Sequence, residues 1–241
     1  MVKQGLGTPL NVPAFALLNP ELTLTVSRYQ SACGAVDMLA HVMERYFTNT
    51  PGVDVTDRLC EGLMAAIVRN ARLVIAAPDN LEARANLMWA GTLAHNNLCG
   101  TGREQDWASH HLEHQLSALY DVAHGAGLAV IFPAWMEYTL HHSLMRFAQF
   151  AHRVFGCPLD FVDPEYTARA GIGCLRRFFA DLGMPLNFAG LGARAEDIPQ
   201  LLNMLGVDEE AHTEGHFVVL HRSDCERIYK LEAGYEPGSG L

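Results

Sequence analysis

The stretch Ser27-Arg28-Tyr29-Gln30-Ser31-Ala32-Cys33-Gly34-Ala35-Val36-Asp37-Met38-Leu39-Ala40-His41-Val42-Met43-Glu44-Arg45-Tyr46-Phe47 decides the fold class. Val36, Leu39, Ala40, Met43 and Phe47 recur at helical spacing, so one face of a long helix is apolar. Pro51-Gly52 ends it. The pattern then repeats along the chain. Val53–Ala77 predicts a second helix, with Leu59, Leu63, Ala66 and Ile67 on one face and Pro78 beyond its end. Leu81–Leu98 predicts a third, Gln105–Tyr120 a fourth, Gly125–Leu140 a fifth kinked at Pro133, and Ser143–Phe155 a sixth. Asp163-Pro164-Glu165 opens a seventh, because Asp suits the N-cap and Pro the first turn, and Gly183 closes it. Shorter helices fill Ala195–Leu205 and Ser223–Leu231. Residues 1–26 read as irregular, Gly206–His221 as loop, and Gly234–Leu241 as a frayed tail. The expectation is one all-α domain over residues 1–241.

Composition narrows the function. The chain has 241 residues, 49% of them hydrophobic, enough to bury a sizeable core. A formal charge of -10 argues against nucleic acid as a main partner, since phosphate backbones require a basic face. No apolar run is long enough for a membrane span; Gly127–Met136 is short and holds Pro133. Met1-Val2-Lys3-Gln4-Gly5 shows no apolar leader. The six cysteines contain no CxxC pair and read as buried thiols of a reducing, cytoplasmic compartment.

The 12 histidines are the anomaly, and five of them (His95, His110, His111, His114 and His124) fall within 30 positions. Asp37 and His41 stand one helical turn apart on one face. A carboxylate among Val36, Leu39 and Ala40 needs a partner once buried. His110 and His114 repeat the spacing, and His124 follows His110 after fourteen positions and a turn. Gly125 and Gly127 would let backbones approach closely there. Asp37, His41, His110 and His124 thus make a set of one carboxylate and three imidazoles, suited to Fe(II) or Zn(II). His111 must point elsewhere on its helix. His141 and His142 suit a helix end; His212, His216 and His221 lie in the loop-like region; His95 reads equally as a cap, a packing group or a substrate contact. The motifs G-x-x-x-x-G-K-[ST], H-E-x-x-H and G-x-S-x-G are absent, and Gly125-Ala126-Gly127 and Gly5-Leu6-Gly7 are poor dinucleotide signals.

These residues carry a resemblance. Asn19–Thr23, Ala32–Phe47, Asp106–His114, Tyr120–Val130 and Pro133-Ala134-Trp135 are similar to the C-terminal, metal-binding domain of the iron-containing (group III) alcohol dehydrogenases, in their butanol dehydrogenase-like branch. The resemblance implies a helical bundle like the C-terminal domain of dehydroquinate synthase-like proteins and iron-containing alcohol dehydrogenases. It implies that Asp37, His41, His110 and His124 ligate Fe(II), or Zn(II) in its place. It implies a small primary alcohol or aldehyde as substrate, NAD(H) or NADP(H) as hydride partner, a metal that polarises the alcohol oxygen, and a homo-oligomer. His114 matches a family histidine near substrate and nicotinamide.

Members of that family begin with an α/β dinucleotide-binding domain, and nothing in residues 1–241 corresponds to it. The expectation is therefore a metal-and-substrate half that binds metal but does not transfer hydride unaided, with the segment Gly5–Pro20 exposed and apolar. An all-α metal-dependent hydrolase is the competing class, although the sequential His-Asp pair common there is missing. An inert metal-binding remnant is the third.

Overall fold

The computed structural model describes residues 8–236; Met1–Gly5, the Gly5-Leu6-Gly7 run and the tail beyond Glu236 lie outside them. Among the described residues the regular structure is helical: α1 (Arg28–Tyr46), α2 (Asp54–Ala76), α3 (Leu81–His95), α4 (Ala108–Tyr120), α5 (His124–Thr139), α6 (Leu144–Phe155), α7 (Pro164–Asp181), α8 (Phe188–Leu191), α9 (Ile198–Leu205) and α10 (Arg222–Ala233), with short 3-10 turns between them. Strand pairing among these residues is limited to a bridge between Glu214 and Leu220. The fold is that of the all-α class the sequence predicts.

α5 is the hub. Gly125 to Met136 are buried without interruption, so this helix has no solvent face and packs on α1, α4, α7 and α10. It runs through Pro133 as one helix. Trp135 joins Phe47, Phe147 and Phe217 in a cluster of rings with centroids 4.7–6.3 Å apart. Each such side chain contributes about 1.5–3 kcal/mol on burial, so this cluster anchors α1, α5 and α6 together.

Helix ends follow local chemistry. Ser27 caps α1 by accepting from the Gln30 amide, Asn80 caps α3 through the Ala83 amide, and Asp163 caps α7 through Tyr166, with Pro164 in the first turn. Three expectations are corrected. The apolar face of α2 is Cys60, Met64, Ile67, Ala71 and Val74, which form one unbroken stripe at spacings of three and four; Leu59 is exposed on the flank. α3 stops at His95 because Asn97 turns left-handed (φ 66) before a 3-10 turn at Leu98–Gly100. α4 begins at Ala108, since Trp107 is also left-handed (φ 70). The short helix α8 falls where no helix was expected.

Toward the N-terminus Leu10, Phe15 and Leu17 are 93%, 77% and 86% exposed, as expected for Gly5–Pro20 within the described part. No helix among the described residues is long and apolar enough to cross a membrane.

Candidate metal centre

Three helices converge beside the middle of α1. Asp37 and His41 stand one turn apart on α1, His95 closes α3, His110 lies in the first turn of α4, and His124 is the first residue of α5. The short approach of α5 depends on glycine. A side chain at Gly125 would run into the Cys33 carbonyl of α1, and one at Gly127 would run into the Glu113 carboxylate. The sequence expectation of close backbone approach therefore holds at Gly125, whereas the neighbour at Gly127 is the Glu113 side chain.

Asp37 is the focus. Its Oδ1 lies 3.4 Å from His124 Nε2, 3.7 Å from His41 Nε2 and 4.0 Å from His110 Nε2, and its Oδ2 lies 3.2 Å from His95 Nε2. Two triads share it. The donor atoms of Asp37, His110 and His124, and those of Asp37, His41 and His95, each lie within 4.8 Å of one another. Asp37 Oδ1 and His110 Nε2 are both buried without a hydrogen-bond partner. Buried polar atoms normally have partners, and leaving one unmet costs about 1–3 kcal/mol. A carboxylate oxygen and an imidazole nitrogen left unmet and facing one another suit a divalent cation of the Fe(II) or Zn(II) type.

Buried glutamates lie behind two of the imidazoles. Glu44 Oε1 accepts from the His110 backbone amide at 3.1 Å and lies 2.7 Å from His110 Nδ1; Oε2 accepts from the Trp107 amide at 2.9 Å. One carboxylate thus caps α4 and orients the His110 ring. Glu113 stands against His124 Nδ1 in the same way and also accepts from Ser117 Oγ. With Nδ1–H donated to a carboxylate, each ring presents an Nε2 lone pair toward Asp37, the arrangement that metal-binding histidines adopt.

Electrostatics favour the metal-ready forms. Burial holds His41 and His110 down to about 3, so both rings are neutral near pH 7. Burial pushes Asp37 up, but the His95 hydrogen bond and the attraction of the His41, His124 and His110 rings in their protonated forms outweigh it and leave the carboxyl below its usual range. Burial raises Glu44 to about 7 against the opposing His110 and Trp107 amides. Trp107 walls the cluster edge-on, its ring 5.2 Å from His41 and 5.0 Å from His110, with Arg45 stacked on it at 4.7 Å.

Of the residues singled out in the sequence, the structure brings together Asp37, His41, His110 and His124. His114 sits one turn along α4, its ring 5.2 Å from His124 and 6.4 Å from His110, and it groups with Glu113 and His124 rather than with Asp37. His111 pairs with Glu214 on the outside. His142 binds Asn49, His212 binds Asp208, and Asp106 holds the loop backbone at His216 and Phe217. Sequence reasoning missed Glu44, Glu113 and the position of His95. Glu44 was discoverable in part, since it follows His41 by three residues on the same face of α1.

Comparison with known proteins identifies the class to which this fold and this histidine cluster belong. Residues 31–233 match the Fe-containing alcohol dehydrogenase family, C-terminal region, and the chain belongs to that family. It is 35% identical over 228 residues to the probable NADH-dependent butanol dehydrogenase 1 of Bacillus subtilis, covering 95% of this chain and 58% of that protein. It is 34% identical over 229 residues to the NADH-dependent butanol dehydrogenase A of Clostridium acetobutylicum, covering 95% of this chain and again 58% of the relative. The structure of the aldehyde reductase YqhD of Escherichia coli superposes with a TM-score of 0.85 at 32% identity, over 92% of this chain and 57% of that one. The chain thus spans a little over half the length of these relatives.

Proposed function

We propose that this chain is the metal- and substrate-binding half of an NAD(P)-dependent dehydrogenase acting on small primary alcohols and aldehydes. One observation carries the reading. Asp37 Oδ1 and His110 Nε2 are buried without partners at the point where His41 and His124 also converge. Asp37, His41, His110 and His124 would hold the ion, Fe(II) or Zn(II), which when bound supplies the Lewis acidity that polarises an alcohol or carbonyl oxygen.

The chain's own residues do the rest. Glu44 and Glu113 hold the His110 and His124 rings in register. Trp107 shields one flank from water. His114, half-buried beyond His124, lines the substrate side within reach of a reacting oxygen and assists proton movement there. The nicotinamide carbon has to approach the substrate carbon to about 3–3.5 Å. The glycine turn that cradles NAD(H) or NADP(H) has no counterpart in residues 1–241, so hydride transfer requires the dinucleotide-binding domain of a complete enzyme. The exposed apolar stretch around Leu10–Leu17 is the surface this reading leaves for that domain or for a second copy of the chain. The six cysteines are free thiols, Cys157 and Cys174 sharing an S–H···S hydrogen bond at 3.6 Å, and suit a reducing cytoplasm. The family relationship favours this reading over a hydrolase or an inert remnant.

The test is metal analysis of the purified chain and of Asp37→Ala and His124→Ala. One equivalent of Fe(II) or Zn(II) in the parent and loss in both variants is expected. Full retention in both variants overturns the ligand set. Oxidation of butanol with NAD+ or NADP+ by the isolated chain, near the rate of a complete enzyme, overturns the dependence on a second domain.

A further inference from the structure

His95 stands outside the set of one carboxylate and three imidazoles, yet it makes the shortest nitrogen contact to Asp37 in the cluster. Its Nε2 lies 3.2 Å from Asp37 Oδ2, and its ring is centred 4.0 Å from that of His41. Its Nδ1 lies 2.8 Å from the carbonyl of Gly91, one turn back on α3. A carbonyl only accepts, so Nδ1 carries the proton and Nε2 is the atom turned toward Asp37. This is the wiring of His110, whose Nδ1 faces Glu44, and of His124, whose Nδ1 faces Glu113. Three imidazoles on three different helices therefore share one pattern: Nδ1 held from behind by an oxygen, Nε2 aimed at one carboxylate.

His95 Nε2 and Asp37 Oδ2 stand 3.2 Å apart, and Asp37 Oδ1 and His110 Nε2 are buried beside them without a hydrogen-bond partner. An ion among the donors would meet all of these atoms. The atoms of Asp37, His41 and His95 also lie within 4.8 Å of one another, as do those of Asp37, His110 and His124. Two ligands on one ion, each about 2.1 Å from it, cannot be much more than about 4.2 Å apart, so a single ion held by all five groups requires the two triads to close on each other around Asp37.

We propose that His95 is a further donor to the ion at Asp37, giving this chain a metal set of one carboxylate and four imidazoles. The inference rests on the metal-centre reading above. His95 is 43% exposed and occupies the open lip, so it is the donor that ion capture would draw inward. A set this rich in donors favours a metal that accepts five or six ligands, as Fe(II) does, over the four-coordinate preference of Zn(II).

The test is proton NMR of the full chain loaded with Co(II). Each imidazole bound through Nε2 contributes one solvent-exchangeable Nδ1–H signal, shifted far outside the ordinary window by the paramagnetic ion. Such signals are expected from each of His41, His95, His110 and His124. His95→Leu should lose one signal, keep the others and bind Co(II) about tenfold more weakly. His95→Gln supplies a hydrogen-bond donor to Asp37 but no ring, and should match His95→Leu. A set of shifted signals unchanged by His95→Leu overturns the proposal. So does restoration of affinity by Gln, which would make His95 a positioning residue for Asp37. Absence of Co(II) binding by the parent chain would instead sink the metal centre itself, and this donor with it.

Discussion

Two buried polar clusters flank α1, and they are built on opposite plans. Beyond its C-terminal end Asp57 is 8% exposed and lies between Arg103 and Arg146. Both of its oxygens are taken: Oδ1 by Arg103 at 2.8 Å and Arg146 at 2.7 Å, Oδ2 by Arg146. The same guanidinium groups donate to the carbonyls of Arg45, Tyr46 and Val53. The charges are closed by permanent cations and fixed hydrogen bonds, and the result ties α1 to α2 and α6. At the middle of α1 the carboxylate of Asp37 faces the neutral imidazoles of His41 and His110 among others, and Asp37 Oδ1 and His110 Nε2 are left unmet. In the first cluster both carboxylate oxygens are met and Arg103 Nε alone is left without a partner. In the second, the unmet atoms are a carboxylate oxygen and an imidazole nitrogen facing one another, and on the proposed reading that difference separates a structural ion network from a binding centre.

The largest effect should come from breaking the closed cluster. Asp57→Ala leaves two buried guanidinium groups facing each other and should cost about 3–5 kcal/mol of folding free energy, read by urea unfolding. Asp37→Ala in the metal-free chain removes a buried carboxylate with an unmet oxygen, and should change stability by no more than about 1 kcal/mol while abolishing metal uptake. Equal costs for the two substitutions would erase the distinction.

A smaller effect tests what stands behind the open cluster. Glu113→Gln preserves shape but weakens the acceptor behind His124 Nδ1. Metal affinity should fall about 10–100-fold with the fold intact, because the ring loses its fixed orientation and part of its basicity. Titration with Zn(II) against a competing chelator reads this directly. Unchanged affinity would reduce Glu113 to a packing group beneath Gly127.

The sequence made much of this legible, for reasons that also mark where it stops. Spacing within one helix is local information, so Asp37 with His41, and the α7 cap at Asp163-Pro164, could be read from neighbouring residues. The His110–His124 pairing could be read across one turn because Gly125 and Gly127 mark a close approach. His95 is 58 positions from Asp37, and Glu44 is 66 from the His110 it orients; no periodicity encodes which helix end meets which face. The α2 stripe was misplaced for a related reason. Leu59 and Leu63 are apolar enough to suggest a face, but Cys60, Met64 and Ala71 complete the stripe that faces α1 and α3. The late start of α4 depends on a left-handed Trp107 held by Glu44 from another helix, which is tertiary information.

The smallest expected effect separates the two clusters by pH. Burial pushes Asp57 up, but the hydrogen bonds and charges of Arg146 and Arg103 prevail and hold its carboxyl below the usual range. A carboxyl whose folded pKa is depressed gives stability that is present above its unfolded value of about 3.9 and is lost as pH falls through the folded one. One such group can change unfolding free energy by at most about 1.4 kcal/mol per pH unit. The parent chain, freed of metal, should therefore lose stability relative to Asp57→Asn as pH drops below about 4. Above about pH 5 the gap between the two should be constant, since Asp57 is then ionised in both folded and unfolded states. Unfolding midpoints of both proteins from pH 3 to pH 7 measure the gap. If it were flat throughout, the arginines would not be holding Asp57 as an anion, and the closed cluster would owe its stability to the carbonyl contacts of Arg103 and Arg146 instead.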